Sequence, residues 1–104
     1  MKSKPSLTGR QILKTLQNNQ ALLREYSVKR IGLFGSYANS SPTHKSDIDF
    51  LVEFEHSTYD NFLGLIRELE RLFGRKVEVL TPDGVDSIRV DEVAQRIRES
   101  VVYV

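Results

Sequence analysis

The segment that most restricts the fold runs from Asp47 to Phe54, where Ile48, Phe50, Val52 and Phe54 alternate with Asp47, Asp49, Leu51 and Glu53. A period of two marks a strand with two unlike faces, because successive side chains point to opposite sides of a sheet. The chain must therefore build a sheet, bury one face of this strand, and leave both aspartates on the other. Val28 to Phe34, dense in apolar and β-branched residues and stopped by Gly35, predicts a strand to pair with it. Lys76 to Leu80 predicts a third, stopped by Pro82 and Gly84.

Helical spacing supplies the covering layers. Ser6 or Thr8 can cap a first helix, in which Ile12, Leu13, Leu16, Leu23 and Tyr26 recur to about residue 26. Phe62, Leu65, Ile66, Leu69, Leu72 and Phe73 form a clear amphipathic stripe between Tyr59 and Phe73, ended by Gly74. Asp86 or Ser87 can cap a last helix carrying Val90, Val93, Ala94 and Ile97, before the apolar tail Val101–Val104, an edge element or a partner contact. Between the first two strands lies a short turn or helix from Ser36, cut by Pro42 in the polar stretch 39–46. The sum is an α/β fold, a small mixed sheet flanked by helices in two or three layers; strand order is left open.

Composition closes several alternatives. At 104 residues, one domain spanning 1–104 is expected, with a modest core. No cysteine means no disulfide, thiolate metal site or cysteine nucleophile, which fits a reducing cytoplasmic setting. No apolar run reaches the roughly 18–20 residues of a membrane span, and no apolar stretch follows Lys2 and Lys4 as in a secretory signal. A net charge of +1 argues against general nucleic-acid binding. The total hides an asymmetry: residues 1–52 hold 8 Lys+Arg against 3 Asp+Glu, and residues 53–104 hold 7 against 11. Solvated helix faces or the steering of a nucleotide or partner would each account for it.

Chemistry concentrates in Gly35-Ser36 and, ten residues later, Asp47-Ile48-Asp49. Residues two apart in a strand share a face with Cα atoms about 6.5–7 Å apart, so Asp47 and Asp49 can converge on one or two divalent cations. Mg2+ prefers such oxygen ligands and keeps positions for substrate phosphates. A strand that ends in glycine lets backbone approach a phosphate, and a turn opening at Ser36 aims N–H groups and a hydroxyl at it. Each feature alone has a plain reading, an Asp capping a turn and a common strand-to-helix connection. Together they supply both halves of a metal–polyphosphate site.

This arrangement resembles the signature of the DNA polymerase β-type nucleotidyltransferase superfamily. The stretches Ile31-Gly-Leu-Phe-Gly-Ser-Tyr-Ala38 and Ser46-Asp-Ile-Asp-Phe-Leu-Val-Glu-Phe54 look specifically like its minimal nucleotidyltransferases, from about Val28 to the end. The resemblance implies a nucleotidyltransferase fold and a third carboxylate on a later strand, Glu78 in Lys76-Val-Glu-Val-Leu-Thr-Pro82, where relatives commonly carry Asp. An exposed strand residue is the alternative for Glu78. It further implies two Mg2+ held by Asp47, Asp49 and Glu78, ATP phosphates on Gly35 and Ser36, and Glu78 deprotonating or orienting the acceptor hydroxyl. The family's chemistry is AMP transfer from ATP to a tyrosine of a HEPN-domain ribonuclease toxin, for which the small protein is the antitoxin. Relatives often carry a basic residue after the motif alanine; here Ala38 is followed by Asn39, and Lys29 or Lys45 are possible substitutes.

Three rival readings remain: an antitoxin that neutralises by binding alone, a transferase with another hydroxyl acceptor, and an unrelated α/β domain. The short chain leaves no acceptor-binding domain, so a partner protein is expected to bring the acceptor. His44 and His56 stand alone in polar segments and read as loop histidines. Tyr37 reads as a helix-surface aromatic, with base stacking or modification as the sharper alternatives.

Overall fold

The computed structural model describes residues 7–38, 47–86, 88 and 91–104, with only the backbone described at 86 and 91. Helix α1 (Gly9–Gln17) is opened by a reciprocal cap: the Gln11 amide donates to Thr8 Oγ1 at 3.1 Å, and the Thr8 amide to Gln11 Oε1 at 2.9 Å. The expected single helix to residue 26 is broken at Asn18-Asn19, where the Asn19 side chain donates back to the Thr15 carbonyl at 2.7 Å. Asparagine side chains compete with helical hydrogen bonds in this way. A separate α2 (Gln20–Glu25) follows, and Ser27, at φ 64°, turns the chain into the sheet.

Strand β1 (Val28–Phe34) pairs antiparallel with β2 (Ile48–Phe54), and β2 pairs parallel with β3 (Val77–Leu80). The tail forms β4 (Val102–Tyr103) against β1, which gives a four-stranded mixed sheet in the order β3-β2-β1-β4. The apolar tail is therefore an edge strand. The parallel crossover runs through α3 (Tyr59–Phe73), closed by Gly74 where the sequence predicts; Thr58, which the sequence reading did not single out, caps its start.

Alternation decides the layers. Ile31, Leu33, Ile48, Phe50, Val52, Val77 and Val79 face α1, α2 and α3, packing on Ile12, Leu16, Leu23, Leu65 and Leu69. Phe34 and Leu51 face the opposite way, against Val85 and Ala94 from α4 (Pro82–Asp86) and α5 (Asp91–Ser100). Three layers result. β3 ends at Leu80, just before Pro82, and Pro82 opens α4, since proline suits a first helical turn. Gly84, expected to help stop the strand, lies instead inside that helix, where its amide donates to Thr81 Oγ1 at 3.1 Å. Of the two expected caps of the last helix, Asp86 is instead the last residue of α4, five positions before α5 begins. Ser87, like the expected first apolar position Val90, lies outside the described residues.

Tyr37 corrects the sequence reading most clearly. It is 2% exposed and belongs to the main core, because the turn that carries it folds under α1 instead of standing proud as a helix surface. No described helix is long and apolar enough to cross a membrane.

Candidate active site

One end of the sheet collects the motif residues. The last residue of β1, the first of β2 and the first of β3 all lie there, because β1 runs antiparallel to β2 and β3 runs parallel to it. Phe34 leads into a 3-10 turn, Gly35–Tyr37, closed by the Ala38 amide donating to the Gly35 carbonyl at 3.1 Å. Gly35 has φ +75°, and a Cβ there would overlap Asp49 Oδ2. Only glycine fits this backbone without strain, and only glycine leaves room for the carboxylate.

Asp49 stands opposite Phe34 on one side and Glu78 on the other, each as a direct Cα partner. Residues facing each other across a strand pair share a face, so Asp49 and Glu78 project from the same side of the sheet. Asp47 precedes Ile48, which is fully buried on the opposite side. Two tethers fix the start of β3: the Ile48 amide donates to the Lys76 carbonyl at 3.1 Å, and the Val77 amide to Glu70 Oε2 at 3.1 Å. The family resemblance makes Glu78 a candidate; its parallel register beside Asp49 comes from the β2-α3-β3 crossover and has no local signal.

The electrostatics follow from this crowding. Burial pushes the Asp49 carboxyl up to about 6, and the negative charges of Glu78 and Asp47 push it the same way. Asp47 and Asp49 are half-buried, against the expectation of surface positions, while Glu78 is exposed. None of the three forms an ion pair with a described residue. Among the described residues no three acid, histidine or cysteine side chains are gathered closely enough to hold a metal ion by themselves. Mg2+ needs no such cage, since one or two carboxylates with waters and substrate phosphates suffice. The all-oxygen donor set and the mutual repulsion at Asp49 fit a divalent cation there.

The substitutes for a missing cation separate. Lys29 lies at the opposite end of β1 and is 3.5 Å from Glu53, so it cannot serve this end of the sheet. Asn39, Lys45 and His44 lie outside the described residues; His56 is exposed in the turn before α3. Arg75, which the sequence reading did not single out, holds its guanidinium 6.0 Å from the Tyr37 ring centroid.

A family model described as a nucleotidyltransferase domain matches residues 12–104. The chain belongs to the nucleotidyltransferase domain family. The match begins inside α1, earlier than the Val28 at which the sequence resemblance starts. Among its relatives is a Methanocaldococcus jannaschii protein, 40% identical over 98 residues (90% of this chain, 95% of the relative), provisionally named protein adenylyltransferase MJ1379. The protein adenylyltransferase MntA of Thermococcus cleftensis is 34% identical over 100 residues, covering 94% and 97% of the two chains. A solved structure provisionally described as a minimal nucleotidyltransferase matches with a TM-score of 0.74 at 21% identity, over 95% of this chain and 98% of its own. A toxin–antitoxin crystal structure with AMP-PNP matches at 0.62, 21% identical, over 84% and 69%. The first of these likenesses matches the fold to that of a minimal nucleotidyltransferase.

Proposed function

We propose that residues 1–104 form one minimal nucleotidyltransferase domain that transfers AMP from ATP to a tyrosine hydroxyl of a cytoplasmic HEPN-domain toxin, and so acts as its antitoxin. The observation that carries this reading is the Asp49 carboxylate, lodged between the glycine turn at Gly35 and Glu78. The relatives named as protein adenylyltransferases, one of them MntA, and the AMP-PNP in a toxin–antitoxin neighbour support the donor and the type of partner.

In this reading Ser36 and the backbone of the turn bind the outer phosphates and hold the leaving pyrophosphate in line with the acceptor. Asp47, Asp49 and Glu78 would hold Mg2+, which when bound neutralises charge on the reacting phosphates. Glu78 accepts the acceptor's proton as that oxygen bonds to the α-phosphorus. The bond from that phosphorus to the β-phosphate oxygen breaks, and pyrophosphate carries away the electron pair. Burial of Asp49 among like charges keeps it short of counter-charge until substrate arrives, which favours the loaded complex.

The test is label transfer from ATP to the HEPN partner with Mg2+ present. Wild type labels the partner and suppresses its ribonuclease activity, whereas Asp47→Asn and Asp49→Asn do neither. Glu78, and Asn39 in the place of a cation, favour a second reading, neutralisation by binding alone. Unlabelled partner, with full neutralisation by wild type and both variants, would establish that one instead.

A further inference from the structure

The turn that carries Gly35 and Ser36 has a second side. Helix α1 comes down on it so closely that a Cβ on Gly9 would overlap the Tyr37 carbonyl oxygen. Beside this contact a hollow of about 530 Å³ opens between α1, the turn and β4. Arg10, Leu13, Lys14, Tyr37, Ala38 and Val102 are among the residues that line it. Arg10 and Lys14 are four apart on α1, so both cations stand on one helix face. Both are exposed, neither pairs with a described acid, and no carboxylate is among the described lining residues.

We propose that this hollow takes the polyphosphate tail of the nucleotide, with Arg10 and Lys14 as its cationic wall; the proposal rests on the nucleotidyl-transfer reading above. Charge is the first argument. A triphosphate approaching Asp47, Asp49 and Glu78 meets three acids, and the sequence has no Lys or Arg anywhere from Gly35 to His44 to offset its outer charge. Lys45, the next residue, lies outside the described residues, so among the described residues the compensation has to come from another element of the fold. Lys29 is committed to Glu53 at the far end of β1, and Arg75 lies over the Tyr37 ring. Arg10 and Lys14 have no such engagement among the described residues.

Continuity is the second argument. Gly35 faces Asp49, while Ala38, bonded back to the Gly35 carbonyl, lines the hollow. The acids lie on the α4/α5 side of the sheet and the hollow on the α1 side, with the Gly35–Tyr37 turn wrapping the sheet end between them. A phosphate chain passing round that end at Ser36 therefore has its reacting end towards the acids and its outer end towards α1. The volume lies within the range of ligand pockets. Like charges four apart weaken an isolated helix, so a bound polyanion removes a repulsion as well as adding contacts.

Titrations of wild type, Arg10→Glu, Lys14→Glu and Arg10→Lys with Mg·ATP, tripolyphosphate and AMP test this. Each charge reversal is expected to weaken ATP and tripolyphosphate about tenfold or more, as loss of a charge-assisted contact does. AMP affinity stays within about twofold, and Arg10→Lys keeps most of the ATP affinity. The residues are exposed, so unchanged thermal melts accompany these effects. Variants that bind ATP and tripolyphosphate as wild type does overturn the inference and leave the transfer reading standing. An equal loss of AMP and ATP makes the hollow a base pocket, which also overturns it. A wild type that binds neither ATP nor tripolyphosphate removes both readings.

Discussion

Asp49 and Glu78 face each other as Cα partners in the parallel strands β2 and β3, and the Glu78 charge adds to burial in raising the Asp49 carboxyl to about 6. These two carboxylates are 29 positions apart in the chain, and the α3 crossover brings them to one face of the sheet. Their repulsion makes the site costly to the folded protein without a bound cation.

That cost has a sign that can be measured. Asp49 binds a proton more readily in the folded than in the unfolded chain, so the folded state loses stability as pH rises from about 4 through about 6 and regains nothing above. With the partial exposure of the group, solvent screening limits the effect to about 1 kcal/mol. Asp49→Asn is therefore expected to raise the metal-free Tm by roughly 4–8 °C at pH 7–8. Below pH 4 the two melts should coincide. A lower Tm for the variant at pH 7 contradicts the assignment.

Gly35 answers to two constraints at once, φ +75° and the Asp49 oxygen where a Cβ would sit. Gly35→Ala is expected to destabilise the fold by about 1–3 kcal/mol. It should also displace Asp49 and slow transfer by roughly 10²-fold, since small misplacements have that effect. Initial rates and thermal melts measured together separate the two consequences.

Glu78→Gln keeps the shape and removes the charge. If Glu78 takes the acceptor's proton, transfer falls about 10²–10⁴-fold while Mg·ATP affinity changes far less. Glu78→Asp, the residue relatives commonly carry, retains most of the rate. Single-turnover rates beside equilibrium titrations decide this.

Tyr37 is a core residue, so it is unsuited to receive a modification. Tyr37→Ala is expected to cost about 3–5 kcal/mol, as truncation of a buried aromatic does. Tyr59→Ala, at a side chain 75% exposed on the first turn of α3, should be neutral within about 0.5 kcal/mol. Denaturant unfolding of the two variants gives the comparison.

The parts legible in the sequence are those with local causes. The alternation from Asp47 to Phe54 predicts β2, and the stripe from Phe62 to Phe73 with its Gly74 stop predicts α3. The motif residues are legible because the glycine–serine turn and the paired aspartates, each ordinary alone, stand ten residues apart as the two halves of a metal–polyphosphate site. What was missed depends on contacts between distant segments. Tyr37 looks like a surface residue until α1 is placed over it. The break at Asn18-Asn19 was hidden by apolar spacing that runs on through Leu23. Arg10 and Lys14 left only a diffuse trace, the positive excess of the first half, because nothing local says that α1 touches the Gly35–Tyr37 turn. Strand order likewise rests on how β4 returns to β1, a long-range pairing of four residues.

The most direct measurement of the central claim is the intact mass of the proposed HEPN-domain partner after co-expression with this protein. Wild type is expected to add one or more AMP groups at a partner tyrosine, and Asp49→Asn to leave the mass unchanged with the ribonuclease active. A partner of unmodified mass that wild type nevertheless silences would contradict nucleotidyl transfer as the function of the site.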